Sequence, residues 1–117
     1  MKVFISQPMN GRSDEEILKE RREIIETYEE TYGETLEVID SFTKSPEDIA
    51  KGRIWMLGGS IQLMKDAELV IFAPRYNDAK GCVVEEAVCK QYDLKHMYFL
   101  PKSKKFMWGC PNFGGIR

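Results

Sequence analysis

Short apolar runs alternate with longer segments of helical periodicity along the whole chain. Runs of four to six residues, each bounded by turn-forming residues, predict β-strands at 2–5, 35–39, 68–73 and 97–100. Because strands and helices alternate with no linker and no internal repeat, the pattern predicts an α/β fold in a single domain, residues 1–117. This alternation favours a parallel sheet of four to five strands with helices on both faces.

The first helix carries the strongest boundary signals in the sequence. Ser13 with Glu16 matches a capping box, and Gly33 supplies a C-terminal stop. Between these signals, apolar residues recur at helical spacing among charged ones: Ile17, Leu18, Ile24, Ile25, Tyr28 and Tyr32. The pattern therefore predicts one long amphipathic helix.

Weaker signals predict two more helices and a tail. Pro46, directly after Ser45, starts a second helix whose apolar stripe runs through Met64. Three glycines weaken this segment, so we expect an irregular middle: Gly52, Gly58 and Gly59. Residues 81–92 predict a third helix after a polar loop at 74–80. Residues 102–117 predict an irregular C-terminal tail, because glycine and proline recur there.

Composition narrows the classes of partner and compartment. The 117 residues carry 17 Lys and Arg against 19 Asp and Glu, and a net charge of −2 argues against nucleic-acid binding. No apolar run approaches the ~18–20 residues that span a membrane, and the N-terminal segment lacks the pattern of a secretory signal. Cys82, Cys89 and Cys110 have no metal-ligand spacing. We expect a cytoplasmic protein with reduced thiols, no metal, no cofactor and no membrane partner.

Two loops are candidates for a ligand site, since ligands of open α/β sheets bind beyond the carboxyl ends of the strands. They are residues 6–12 and residues 74–80, and we expect the first loop and the start of the third helix to line one pocket. No phosphate loop, GxGxxG, GxSxG or HExxH motif occurs. The notable feature is Gly81, which permits close backbone approach, followed four residues later by Glu85.

Glu85 has two interpretations on spacing alone. A helix N-terminus favours an ionised carboxylate, which at the mouth of the sheet can attack the anomeric carbon of a sugar. Alternatively, an acid in the first turn only complements the helix dipole. Glu86, about 100° further round the helix, is expected to face solvent. His96 is expected to be structural or exposed rather than catalytic.

Three motifs together resemble nucleoside 2-deoxyribosyltransferase-like proteins, in particular a short branch carried by phages and bacteria. The motifs are FISQPMNG at 4–11, DAELVI at 66–71, and a glycine four residues before a glutamate at 81–85. The resemblance implies a flavodoxin-like (Rossmann-like) three-layer fold. It also implies exchange of bases on 2-deoxyribonucleosides, or hydrolysis of the N-glycosidic bond of deoxynucleoside monophosphates.

The resemblance assigns roles to particular residues. Glu85 corresponds to the family's nucleophile, and Gly81 belongs to the same motif. First-loop residues that correspond to ligand contacts are Phe4, Gln7, Pro8, Met9 and Asn10. Phe4 stands where active members carry a tyrosine, and Ser60 stands where they carry an aspartate. Asp78 either substitutes for that aspartate or forms a turn with Asn77.

These departures leave three functions open: N-glycosidic chemistry at Glu85, binding of a nucleotide derivative without turnover, or a structural role with a vestigial site. Trp55, Phe106 and Trp108 either stack on a base or pack in a core or interface.

The second helix is apolar on more than one face, which predicts a homo-oligomer unless the tail folds back over that helix. By resemblance, C-terminal residues reach a neighbouring subunit's site.

Overall fold

The computed structural model describes residues 1–40 and 46–109. The strands are β1 (Lys2–Ser6), β2 (Glu37–Val38), β3 (Leu69–Phe72), β4 (His96–Leu100) and β5 (Lys105–Trp108). The helices are α1 (Asp14–Tyr32), α2 (Pro46–Ala50), α3 (Arg53–Met64) and α4 (Lys80–Gln91), and a 3-10 turn spans Tyr76–Asp78.

The strands form one sheet in the order β2-β1-β3-β4-β5. The first four are parallel, and β5 is antiparallel to β4. Ser6 pairs with Phe72, so the carboxyl ends of β1 and β3 lie side by side. This arrangement confirms the predicted α/β fold and is compatible with a flavodoxin-like three-layer architecture.

Both faces of the central strands are buried, which explains their nearly continuous apolar sequences. On one face, side chains such as Val3 and Ile5 pack with Ile24 and Tyr28 of α1. On the other face, Phe4 and its neighbours pack with residues of α3 and α4, among them Met64 and Cys89. Because side chains alternate along a strand, Ser6 lies on the same face as Phe4 and points towards α4.

The predicted boundaries of the first helix are confirmed. The Ser13 hydroxyl accepts a hydrogen bond from the Glu16 amide, and Gly33 adopts a left-handed conformation with φ 66°. The second predicted helix is interrupted, as expected, but only at the first of the three glycines predicted to weaken it. The break falls at Gly52, with φ 95°, while Gly58 and Gly59 lie inside an unbroken α3. Ser45 lies outside the described residues.

The prediction of an irregular tail over 102–117 is wrong for the part that the structure describes. Residues after Pro101 turn back, and Lys105–Trp108 forms the edge strand β5 against β4. The Phe106 ring packs against Phe99 at 5.3 Å and against Tyr28 at 5.6 Å between ring centroids. This aromatic contact supplies a physical reason for the strand, and the glycines and prolines that suggested irregularity lie mostly at 109–117.

Within residues 1–40 and 46–109, no helix has the length and apolar character that crossing a membrane requires. Cys82 and Cys89 are free and buried, while Cys110 lies outside the described residues.

Candidate functional site

Glu85 and Ser6 form a buried hydrogen bond where β1 ends and α4 begins. Glu85 lies in the second turn of α4 and is 6% exposed. The Ser6 hydroxyl, at the last position of β1, donates to Glu85 Oε1 over 2.6 Å. β1 pairs in parallel with β3, with Ser6 opposite Phe72, and α4 follows β3 in the chain, so the end of β1 and the start of α4 lie at the same edge of the sheet. One residue of the first loop region and the predicted catalytic glutamate therefore share one site.

Burial raises the pKa of Glu85 to about 7, and the hydrogen bond from Ser6 opposes this rise. One of the two interpretations predicts an ionised carboxylate at the mouth of the sheet, and the structure instead buries the group. The helix dipole acts most strongly within the first turn of a helix. Because α4 begins at Lys80, Glu85 lies beyond that turn, and the dipole favours its ionised form less than the prediction assumed. A carboxyl group with a pKa near 7 gains or loses its proton readily at neutral pH.

Cys82 also lies beside Ser6 and Glu85, although no motif in the sequence indicated a role for it. Its thiol is buried and lies within hydrogen-bonding reach of Ser6. Burial raises the pKa of Cys82 to about 11, so the thiol is neutral at pH 7. A neutral thiol is a poor nucleophile, whereas the Glu85 carboxyl, with a pKa of about 7, can ionise near neutral pH.

Gln7 is held in a polar network on the opposite face of the sheet. Its Nε2 donates to the Ile17 carbonyl and to Glu20 Oε1, both at 3.0 Å, while its Oε1 accepts from Arg21 Nε at 2.8 Å. Arg12 donates to the same Glu20 oxygen and to the carbonyl of Pro8. These bonds tie the first loop to α1. With both ends of its amide engaged, Gln7 holds the loop rather than offering a free donor.

The other predicted first-loop contacts differ in accessibility. Phe4 is 1% exposed and packs in the core against α3 and α4, so its ring reaches a ligand only if the core rearranges. Pro8 and Met9 are half-buried, and Asn10 is exposed. Ser60 is half-buried on α3. The structure thus joins Ser6, Cys82 and Glu85 by direct contacts, and the remaining predicted residues stay candidates.

Asp78 forms a turn, one of the two alternatives predicted for it. It ends the 3-10 turn and pairs with Arg75 Nε at 3.2 Å, with its side chain 62% exposed. This pairing directs the carboxylate to Arg75 and favours the turn interpretation over a substitute for the missing aspartate.

Glu86 does not face solvent, contrary to the prediction. Its Oε2 accepts a hydrogen bond of 2.5 Å from the Tyr98 hydroxyl and lies 3.7 Å from Lys90 Nζ. A hydrogen bond also links it to Tyr76. The face of α4 that carries Glu86 meets the tyrosines of the sheet end, which a helical wheel alone does not reveal.

His96 has a structural position. It is 2% exposed, and its Nδ1 lies 2.8 Å from the Leu94 carbonyl. A Cβ on Gly109 would collide with the His96 ring, so the end of β5 closes tightly over it. Within the described part of the chain, no group of three or more metal-ligating side chains converges.

Two surface clefts lie away from Glu85. One, of about 650 Å³, follows the polar outer face of α1 and includes Lys104. The other, of about 260 Å³, lies at the ends of β3 and β4 and includes Tyr76, Tyr98 and Met107. Glu85 lines neither of these two clefts, and only 6% of its surface is exposed.

Comparisons with protein-family models, with curated proteins and with solved structures find no match to this chain. The resemblance to nucleoside 2-deoxyribosyltransferase-like proteins therefore rests on the sequence motifs, and the role of Glu85 is a proposal.

Gly81 offers a test of close ligand approach at the start of α4. Gly81 is the second residue of that helix, and an added Cβ would meet only Leu57 Cδ1, at an ordinary 3.8 Å. We expect Gly81→Ala to raise the free energy of unfolding by roughly 0.5–1 kcal/mol, because alanine favours a helix. If a ligand approaches this backbone, the same variant raises KM. Urea unfolding and steady-state kinetics measure both; an unchanged KM in a stabilised protein would contradict close approach.

Proposed function

We propose that this chain cleaves the N-glycosidic bond of a nucleoside or nucleotide, or transfers its 2-deoxyribosyl group, through Glu85. The observation that carries the proposal is the buried pair in which Ser6 donates to Glu85 Oε1 over 2.6 Å at the carboxyl ends of the strands. A site of this kind combines a reactive carboxylate with a fixed orientation. The motifs shared with nucleoside 2-deoxyribosyltransferase-like proteins support the choice of substrate.

In the proposed reaction, Glu85 Oε2 attacks the anomeric carbon of the sugar while Ser6 holds Oε1. A carbon–oxygen bond forms as the carbon–nitrogen bond breaks, and the electron pair of that bond leaves with the base, which takes up a proton. The resulting ester is then attacked at the anomeric carbon by a second base or by water, which gives up a proton and releases the Glu85 carboxylate. The cycle needs no cofactor, and a small molecule in the cytoplasm is the expected partner.

The direct test is release of free base. Purified protein is incubated separately with the four 2-deoxynucleosides and the four deoxynucleoside monophosphates, and the bases are separated by chromatography. Release of base without an acceptor indicates hydrolysis, and release only with a second base indicates transfer. Absence of base in every mixture would contradict the proposed chemistry.

Binding without turnover is a second candidate, and the burial of Glu85 at 6% exposure favours it. Phe4 also brings no hydroxyl to the site. A protein of this kind would be stabilised against heat by a nucleotide derivative without consuming it, since a ligand that binds only the folded state raises its stability. Thermal unfolding with the same compounds therefore separates binding from a purely structural role.

Ser6→Ala is expected to shift the pH dependence of turnover. The Ser6 hydroxyl lowers the pKa of Glu85 towards its ordinary value, so its removal raises that pKa above about 7. Attack needs the ionised carboxylate, and the rising limb of kcat against pH therefore moves to higher pH. Ser60→Ala serves as the comparison variant, because it removes a serine hydroxyl at a second candidate position, on α3. An unmoved limb in active Ser6→Ala protein would contradict the role of the hydrogen bond.

We also expect a homo-oligomer, at least a dimer. Ile54 at the start of α3 is 87% exposed and Trp55 is 48% exposed, and β5 packs against α1 rather than over these residues. Exposed apolar surface of this extent favours a partner. Light scattering at micromolar concentration is expected to give a multiple of 13.6 kDa, and Ile54→Lys to reduce it. A wild-type mass near one chain at all concentrations would refute the oligomer.

A further inference from the structure

The cleft at the ends of β3 and β4 has the features of a second binding site, separate from Glu85. It holds about 260 Å³ and lies between the residues that follow β3 and the β4–β5 hairpin. This volume falls below the ~300–1,000 Å³ typical of pockets for drug-sized ligands. The size therefore favours a ligand of one or two fused rings.

The walls of this cleft favour a planar aromatic group. The rings of Tyr76 and Tyr98 lie 5.1 Å apart between centroids, and Phe72 packs behind both of them. Glu86 accepts hydrogen bonds from both phenols, which fixes the two rings where they line the cleft. Met107, 53% exposed, supplies an apolar side chain on the opposite wall. Rigid aromatic faces beside exposed apolar surface bind a planar ring well.

The charge of the cleft favours an anionic substituent on that ring. Among its described lining residues, Arg75 alone carries a charge. Arg75 holds a left-handed backbone conformation with φ 64°, which is uncommon for a residue other than glycine and is often found at ligand sites. Its guanidinium pairs with Asp78, but both side chains are largely exposed. Exposed pairs contribute little to stability, so a ligand anion can replace Asp78.

We propose that the cleft formed by Tyr76, Tyr98, Met107 and Arg75 binds an aromatic anion, that is, a planar ring of one or two fused rings bearing a carboxylate or a phosphate. The tyrosines and Met107 hold the ring, and Arg75 pairs with the anion. The site is independent of the proposed chemistry at Glu85.

Calorimetric titration of the full chain with indole-3-acetate, indole and acetate tests the proposal, because indole-3-acetate is not a nucleoside. We expect indole-3-acetate to bind with a Kd of about 1 mM or tighter, and indole or acetate alone to bind at least about fivefold more weakly. Phenyl phosphate, which is likewise not a nucleoside or a nucleotide, is the phosphate arm, and the tighter of the two anions identifies the source. If neither anion binds, or if indole matches indole-3-acetate, the proposal is overturned.

Variants assign the binding to this cleft. Tyr76→Leu is expected to weaken the Kd at least about fivefold, a typical loss for a stacking ring. Met107→Ala, a change at a half-exposed side chain, should weaken it as well and keeps the test valid if Tyr76→Leu fails to fold. Arg75→Asn, which tolerates the left-handed conformation, should remove the preference for indole-3-acetate over indole.

Two controls complete the test. Lys80→Gln removes a nearby exposed cation and should leave the Kd unchanged. Glu85→Gln should also leave it unchanged, whatever that variant does to turnover. Failure of the proposed chemistry therefore does not affect this result. Loss of binding in either control, or retention of binding in Tyr76→Leu and Met107→Ala together, would overturn the proposal.

Discussion

Glu85→Ala is expected to lower kcat at least about a hundredfold while the affinity for substrate stays nearly unchanged. The variant removes the atom that attacks the sugar, and loss of a nucleophile acts on the transition state more than on the bound ground state. Steady-state kinetics with the substrate that releases free base gives kcat, and calorimetry with the inactive variant gives the Kd. The expected split between the two constants distinguishes a nucleophile from a residue that only binds.

The matched control is Glu30→Ala, which removes an exposed carboxylate from the far part of α1. It should retain the kcat of the natural sequence. Full turnover in Glu85→Ala protein would remove the mechanism, whereas loss of kcat in both variants would indicate a general effect on folding.

The second large effect is on stability, because the pKa of Glu85 is raised to about 7 from 4.5. A carboxyl group with a raised pKa in the folded state stabilises the fold fully below pH 4.5, where it is protonated in both states. This contribution is lost as pH rises towards and through about 7. A difference of this size in pKa corresponds to about 3 kcal/mol in the free energy of unfolding.

Glu85→Gln isolates this contribution, since glutamine keeps the shape of the side chain and cannot ionise. Urea unfolding at several pH values from 4.5 to 8 is expected to show the variant gaining stability relative to the natural sequence, by up to about 3 kcal/mol at pH 8. Glu30→Gln, the same change at an exposed position, should run parallel to the natural sequence. If the Glu85→Gln difference is constant with pH, Glu85 is not buried in the way described.

Most of the fold could be predicted because apolar periodicity and cap residues are local signals. Ser13 and Gly33 mark the ends of α1, and the buried runs give β1, β3 and β4 directly. β5 could not be predicted in this way, because its main support is the non-local packing of Phe106 on Phe99 and on Tyr28 of α1. Glycine was also a weak predictor of where a helix is interrupted. The helix α3 runs through Gly58 and Gly59, and the break occurs at Gly52.

The candidate site was only partly predictable. The spacing of Gly81 and Glu85 indicated α4 as the helix that carries the candidate site, but the burial and the hydrogen-bond partner of Glu85 depend on tertiary contacts. Ser6 carried a usable signal, since it shares a strand face with the core residue Phe4 and ends the strand. The bonds of Glu86 to Tyr98 and Tyr76 join elements far apart in sequence, so no local pattern reveals them.

The central claim is a covalent bond between Glu85 and a sugar, and intact-protein mass spectrometry tests it most directly. The protein is mixed with the substrate that releases base and quenched in acid within the first turnover, and peptides are then sequenced. We predict an added mass of one deoxyribosyl group, located on Glu85 and absent from Glu85→Gln protein. Release of base with no adduct on the protein at any quench time, or with the adduct on another residue, would contradict the proposed role of Glu85.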